Sequence, residues 1–444
     1  MPSHLLINAG DASGDPHRAP AVLSLPAGRP VAGLVLSLSK DEAVGWEAQQ
    51  RPAPLPALVT WHNVTSIHMK IAFVTTQSAL GSTLIGRILP IVKQLSAKHD
   101  VHLLAFSPLP EVSGVSMHAT GRDPFIRTPT GKKRLHSFSL VANMFSSAIH
   151  ITWHLWRINP DRVVIVKTLP HNVLGVRLWQ IFHPRRPLVV DVDDFELTAN
   201  HLTSLWQRAA IHWAQRCAAR LADQIVTATP FLSDYFSNLR PQSKVTLIPT
   251  GIDPLPSPPY CTKPHLAYLG SISISSGHRV DFLPAIMSSL IKSSPQTKLI
   301  MAGTGDDEHN LKQVFADLKL SSSVIWYGRF NYLEIAKLLS NVAVIIDPID
   351  SSIANRAKSS FRVALAVSVG LPVVTSDVGL RPWLIPPALH HRFFTDPDPA
   401  SLAIKIMDLF SHPLTAAERQ TLIAHAQRYH WSKLTADYQA IIES

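Results

Sequence analysis

The stretch NRAKSSFRVALAVSVGLPVVTSD, residues 355–377, decides how this chain is read. It opens with a basic, hydroxyl-rich run (Asn355, Arg356, Lys358, Ser359, Ser360, Arg362), continues through ALAVSVG and stops at Gly370-Leu371-Pro372. It then re-emerges as a β-branched strand, Pro372–Thr375. The pattern predicts a helix whose first turn combines free backbone N–H groups, the positive end of the helix dipole and cationic side chains. Such an end suits a phosphate or pyrophosphate. Gly-Leu-Pro ends the helix and feeds a buried strand. The alternative is a core helix and strand of any α/β domain with a solvated basic entry.

The surroundings are those of a packed globular protein. The chain has 444 residues, 46% of them hydrophobic and 16% charged, enough for two domains with separate cores. The formal net charge of +10 suits an anionic ligand, an anionic membrane surface or nucleic acid. Nucleic acid has charge alone in its favour, since no helix-turn-helix, zinc finger or aromatic-basic sheet motif accompanies it. Cys217 and Cys261 offer neither a disulfide framework nor a metal set, so a reducing cytoplasm is expected. No uncharged apolar run reaches the roughly 18–20 residues of a membrane span.

Residues 1–68 contain eight prolines and hold no period in either register, which predicts loop or disorder. His68-Met69-Lys70 then gives way to IAFVTT, so Met69 is the expected natural start. Within the extension, LLINAGDASGDPHRA (Leu5–Ala19) is similar to the opening strand and loop of lipid-A-disaccharide synthase. From Met69 strands are expected at Lys70–Thr75, Val101–Phe106, Arg162–Lys167, Leu188–Val192, Gln224–Ala228 and Val245–Ile248. Helices are expected after QSALGS, over Ser137–Arg157 and over Leu202–Leu221. Pro249–Pro264, six prolines in sixteen residues, reads as a hinge. Alternation restarts with strands His265–Leu269, Lys298–Ala302, Val324–Tyr327, Val342–Asp347 and Pro372–Thr375. Helices are expected at Phe282–Ser293, Asn310–Leu318, Tyr332–Leu339, the 355–370 region, Ala400–Phe410 and Ala416–Ile442. This spacing calls for parallel sheets with right-handed crossovers and a cleft where the carboxyl ends of two sheets meet.

The residues that carry a family resemblance now stand in order. ADQIVTATPFLSDYF with VTLIPTGID, then LIMAGTGDDEHNLKQVFADLKLSSSVIWYGRF, then DPIDSSIANRAKSSFRVALAVSVGLPVVTSDVG, and finally Tyr429-His430-Trp431-Ser432 resemble the GT-B glycosyltransferases, most nearly glycosyltransferase family 4. The resemblance runs over residues 69–438. It implies an α/β fold of two Rossmann-like parallel-sheet domains facing across a cleft. An acceptor domain is expected over 69–248, a hinge over 249–264 and a nucleotide-sugar domain over 265–425. A terminal helix, 426–444, is expected to pack back on the first domain. The implied activity is transfer of a hexosyl-type sugar from a nucleoside-diphosphate-sugar to a glycan or lipid-linked acceptor. Retention of configuration, no metal and no further cofactor are implied with it, in cell-surface polysaccharide or glycolipid synthesis. The alternative is a GT-B protein that binds a sugar nucleotide or glycan without turnover. Its motive is that Ala357 and Leu365 occupy the places of the family's glutamate pair, and that Gly270-Ser271 and Ser275-Ser276-Gly277 replace its Gly-Arg and Glu-Lys-Gly. A nucleotide-sugar epimerase on the same fold is a further alternative.

Carried over residue by residue, the resemblance assigns Lys358 and Arg362, expected one helical turn apart, to charge stabilisation on the leaving diphosphate. Gly270, Ser271, Arg279, Gly303, Gly305 and Ser359 are assigned to donor binding. On the acceptor side stand Gly81, Ser82, Lys167, His171, Asp191, Asp193 and Asp194. Asp191-Val-Asp193-Asp194-Phe-Glu196 also fits a metal bridging a diphosphate, a cap on the following helix or a solvated strand end. The tract Ser137–Ile158, preceded by Lys132-Lys133-Arg134, either lays an aromatic face on a membrane or faces the core, and His150 and His154 on it read as structural.

Overall fold

The computed structural model describes residues 68–444 apart from 80, 82, 129–130, 136, 201, 203, 260, 262 and 331. The expected extension, the Leu5–Ala19 fragment and Ser82 lie outside the described residues. Two parallel sheets form, one on each side of the proline-rich segment. The first is built from β1 (Lys70–Val74), β2 (Asp100–Ser107), β3 (Val115–Arg122), β6 (Arg162–Val166), β7 (Leu188–Val192), β8 (Gln224–Thr227) and β9 (Lys244–Leu247). Their order is β3-β2-β1-β6-β7-β8-β9. A separate hairpin pairs β4 (Phe125–Thr128) with β5 (Gly131–Arg134). In the second sheet β10 (His265–Leu269), β11 (Lys298–Ala302), β12 (Val324–Gly328), β13 (Val344–Ile346) and β14 (Val373–Val374) run in the order β12-β11-β10-β13-β14. In both, the first strand of the half lies centrally, so the order reverses beside it and opens a crevice at the carboxyl ends.

The continuous apolar strands are buried on both faces, as helical cover on either side requires. One face of the first sheet is covered by α1 (Leu89–Leu95) and by the last helix of the chain, α13 (Trp431–Glu443), whose Trp431, Leu434, Tyr438 and Ile442 join that core. The other face carries α2 (Ser137–Ile158), α3 (Pro170–Phe182), α4 (Leu205–Leu221) and α5 (Pro230–Leu239). The second sheet packs among α6 (Leu283–Ser293), α7 (Glu308–Asp317), α8 (Tyr332–Leu339), α10 (Phe361–Ser368), α11 (Pro399–Ser411) and α12 (Ala416–Ala426), with α9 (Ile353–Ala357) preceding α10.

Four expectations are corrected. Helices α3 and α5 are additions to the expected elements; both start on a proline at the first helical position, a residue that also marks loops. The Ala416–Ile442 helix is two, because the chain turns at Gln427–Tyr429 and Ile252 bridges to His430. Tract α2 does face the core, but with one side only. Ile151 and Leu155 are buried while Phe145, Ile149, Trp153 and Trp156 are exposed. Most consequentially, the helix expected through residues 355–370 is broken. Lys358 is extended, Ser360 caps α10 by accepting from the Val363 N–H at 3.4 Å, and Arg362 sits in the new first turn. Paired serines offer the backbone a local acceptor that ends one helix and starts the next, so Lys358 and Arg362 belong to different elements rather than one turn.

Candidate active site

The carboxyl ends of both sheets converge where α9 meets the first lobe. Ala357 O accepts from Thr229 Oγ1 at 3.4 Å, and Ser359 Oγ donates to Ala228 O at 3.3 Å while accepting from the Thr250 N–H at 3.4 Å. Arg356 lies over the Phe231 ring at 5.2 Å. Ser359 and Ala357 therefore stand on the seam between the lobes, and Lys358 points between them.

On the second-lobe side the organising group is Asp347, the acid that ends β13. Its carboxylate accepts from Arg362 (2.6 Å), Arg381 (2.7 Å), Ser360 (3.1 Å) and Thr375 (3.2 Å). Burial opposes ionisation of this carboxyl, yet Arg381 and Arg362 hold it well below the usual carboxylate range. Arg362 is buried, lies 4.4 Å over the Tyr268 ring and donates its other nitrogen to His278 Nδ1 at 2.9 Å. Burial, followed by Arg362 and Lys358, drives the His278 imidazole down to about 2, so it is neutral and accepts. Lys358 Nζ donates to Ser276 O at 2.6 Å; burial lowers its pKa and Asp194 of the opposite lobe raises it. Two arginines thus pair with one carboxylate and Lys358 stands near both of them, leaving a positive end to the site.

Gly270 follows β10 in a left-handed turn against the Arg362 side chain, with Ser271 exposed beyond it. Gly303 (φ +140°) and Gly305 are required by close packing of that turn. A Cβ on Gly303 would lie 1.8 Å from Gly270 O, and one on Gly305 would lie 2.0 Å from Ile272 O. The turn after β11 is thereby fastened to the turn after β10, with Gly270 N donating to Ala302 O at 2.8 Å. Arg279 pairs with Asp281 at 2.7 Å and stacks on Phe282.

The first-lobe side is acidic. Lys167, at a left-handed φ of 65°, turns inward at the end of β6. Its Nζ reaches Asp194 at 2.7 Å, Asp193 at 3.2 Å and Glu196 at 3.4 Å. Burial would lower its pKa, but the three carboxylates raise it well above the ordinary lysine value. Asp193 also accepts from Thr83 Oγ1 at 2.7 Å. Burial works against ionising Asp194, but Lys167 and then Lys358 hold it below its ordinary value. Glu196 is pushed up to about 7 by burial, Lys167 opposing and the two aspartates adding. His171 opens α3 and stacks on Phe106 with centroids 5.6 Å apart; burial lowers it to about 3. Gly81 sits in the turn after β1, donating to Ser78 O at 2.8 Å. Asp191 is placed differently from the other acids. It is locked between Arg87 (2.8 Å) and the Tyr438 hydroxyl (3.1 Å) on the α1–α13 face. Among the described residues no cluster of three or more His, Cys, Asp or Glu could hold a metal ion.

Asp347, Arg381, Tyr268, His278 and Arg87 join the site without having been among the candidates, whereas Glu196 belongs to the acidic strand end that was. Asp347 had a signal, as the acid ending the apolar run VAVIID. Arg381 and His278 had none, because each lies in an irregular segment that only folding brings to the β13 end.

Two parallel-sheet lobes with a polar cleft at their carboxyl ends define a glycosyltransferase of GT-B architecture. Residues 85–251 match the glycosyl transferase 4-like domain and residues 263–412 match glycosyl transferases group 1, and the chain belongs to this family. Among curated proteins none matches the sequence. Solved structures are similar in fold at low identity. Sucrose-phosphate synthase from Thermosynechococcus elongatus has a TM-score of 0.65 at 15% identity, over 84% of this chain and 97% of that one. Anabaena HepE in complex with UDP and glucose has 0.63 at 16%, over 85% and 100%. TarM has 0.66 at 9%, over 86% and 100%. No helix among the described residues is long and apolar enough to cross a membrane.

Proposed function

We propose that the protein moves a sugar from a nucleoside-diphosphate donor to a glycan or lipid-linked acceptor with retention, in cell-surface polysaccharide or glycolipid synthesis. We assign it to the cytoplasmic side of the membrane. The observation that carries the reading is the polarity of the cleft: cations around Asp347 on one wall, carboxylates around Lys167 on the other. A diphosphate fits the positive wall, where Lys358, Arg362 and the start of α10 lie. Gly270, Ser271, Arg279, Gly303, Gly305 and Ser359 shape or border that wall. Carboxylates accept hydrogen bonds from hydroxyls, so Asp193 and Asp194, paired with Lys167, suit an acceptor, and we assign Gly81, Ser82 and His171 to the same substrate. One protein of the same fold, Anabaena HepE, was solved with UDP-glucose and with UDP and glucose.

In the transfer, the bond between the anomeric carbon and the diphosphate oxygen breaks with its electron pair on the diphosphate. The acceptor hydroxyl oxygen bonds to that carbon and its proton passes to the departing diphosphate. Fixed cations lower the barrier by stabilising charge as it builds on the leaving group. No further cofactor and no metal enter this scheme. Lys358→Ala is expected to lower turnover by about two to three orders of magnitude. Mass-spectrometric product detection over a panel of nucleoside-diphosphate sugars measures it, and unchanged turnover would remove the mechanism. The second reading, binding without turnover, is favoured by one finding: Leu365 and Ala357 are buried apolar side chains that offer a ribose no acceptor. Calorimetric binding of nucleoside diphosphates with neither hydrolysis nor transfer would select it.

A further inference from the structure

Helices α2, α3 and α4 lie side by side on one face of the first sheet, with Ile151, Val173, Trp179, Ala214 and Ala218 turned to the core. Their outward sides are unusual in two respects. The helices have 22, 13 and 17 residues and contain no Asp or Glu, while carrying Arg157, Arg177, Arg208, Arg216 and Arg220. They also expose large apolar groups. Phe145, Ile149, Trp153 and Trp156 recur every three or four residues along α2, with Trp156 66% exposed. Ile181 and Phe182, the latter 76% exposed, end α3, and Trp206 and Trp213 stand two turns apart on α4.

Between α3 and α4 the surface opens into a groove of about 630 Å³, lined by Arg177, His212, Trp213, Arg216, Cys217 and Arg220. Arg177, Arg216 and Arg220 are exposed, and none of the three guanidinium groups has an acid or hydrogen-bond acceptor among the described residues. The groove follows α4 to Leu221, just before β8 begins, so it lies toward the amino ends of the strands and outside the cleft.

We propose that this face docks on a bilayer containing anionic phospholipid, with the groove arginines holding lipid phosphates and the α2 and α4 aromatics seated at the headgroup level. Guanidinium groups pair with phosphate oxygens in a forked geometry, and tryptophan rings prefer the boundary between hydrocarbon and water. A second copy of the chain is disfavoured as occupant, because a two-fold self-contact would set arginines against arginines with no carboxylate on these helices to answer them. The inference does not rest on the transfer reading.

The test is flotation of the full chain with vesicles of phosphatidylcholine, with and without phosphatidylglycerol. The protein should float with the anionic vesicles, and added salt should weaken the partitioning. Arg216→Gln with Arg220→Gln should lower the partition coefficient about tenfold or more, each arginine near an anionic surface being worth about fivefold. Trp153→Ser with Trp156→Ser should weaken it independently of salt. Circular dichroism confirms that the variants fold, and their binding of a nucleoside diphosphate should match the parent, since the substitutions are remote from the cleft. Absence of flotation with anionic vesicles, or equal flotation of the parent and both variants, would overturn the proposal. So would saturable binding of inorganic phosphate in the groove that is undiminished by vesicles, or self-association of the parent that the tryptophan variant abolishes. Failure of nucleoside-diphosphate binding by the parent would count against the transfer reading alone.

Discussion

Glu196 illustrates how a single side chain acquires its chemistry from its neighbours. Its folded pKa of about 7, raised by burial, exceeds its ordinary value of 4.5. The folded state therefore holds a proton that the unfolded state releases, and stability falls as pH rises from about 4.5 through about 7. Glu196→Gln cannot release that proton. Denaturant unfolding at pH 5 and pH 8 should show the parent losing roughly 3 kcal/mol relative to the variant over that interval. Parallel curves would mean that Glu196 is ionised throughout. The same dependence on neighbours explains what the sequence showed of the site. Lys358, Lys167 and the aspartates at 193 and 194 stand beside strand ends or in basic runs, where a linear reading looks. Asp191 stands there too, yet its carboxylate belongs to Arg87 and Tyr438. Strand position says which end of a sheet a residue reaches, and packing decides whether its charge is already taken.

At the scale of elements, the break between α9 and α10 sets the form of the positive wall. Had residues 355–368 formed one helix, Lys358 and Arg362 would have stacked on one side of it. The serine-capped restart instead sends Lys358 toward Ser276 and the first lobe, and Arg362 inward to Asp347. Ser360 holds both arrangements, capping α10 and donating to Asp347. Ser360→Ala should cost about 1–2 kcal/mol in denaturant unfolding, and Ser360→Thr should recover most of it. An alanine variant as stable as the parent would show that the restart needs no cap. The strands and the long helices were legible because their apolar period is long and uninterrupted. The cap was not read as a break, because Ser-Ser inside an otherwise helical pattern is tolerated as often as it interrupts. The proline-initiated α3 and α5 were missed for a related reason: proline marks both loops and first helical turns.

The whole molecule is tied together by its own end. After finishing the second lobe the chain turns at Gln427–Tyr429 and returns, so that α13 supplies Trp431, Leu434, Tyr438 and Ile442 to the core of the first lobe. The first lobe therefore depends on a helix that the chain reaches only after completing the second. Truncation after Ala426 should strip that face of its cover, giving a first lobe that unfolds separately and earlier. Calorimetry would show two transitions, with a lower first midpoint than the full chain. A truncated chain that melts as one unit at the parent's midpoint would exclude that role. Residue order alone determined that this protein has two strand–helix halves, a proline-rich junction and a hydroxyl-rich basic stretch at the second crevice. Apolar period and breaker residues act locally and are written along the chain. Only the tertiary structure decided which charges remain available to a ligand. Asp191 and Asp194 lie three residues apart, and what separates them is that a fully buried arginine encloses one, while the other, partly exposed, pairs with Lys167 and feels Lys358 of the opposite lobe.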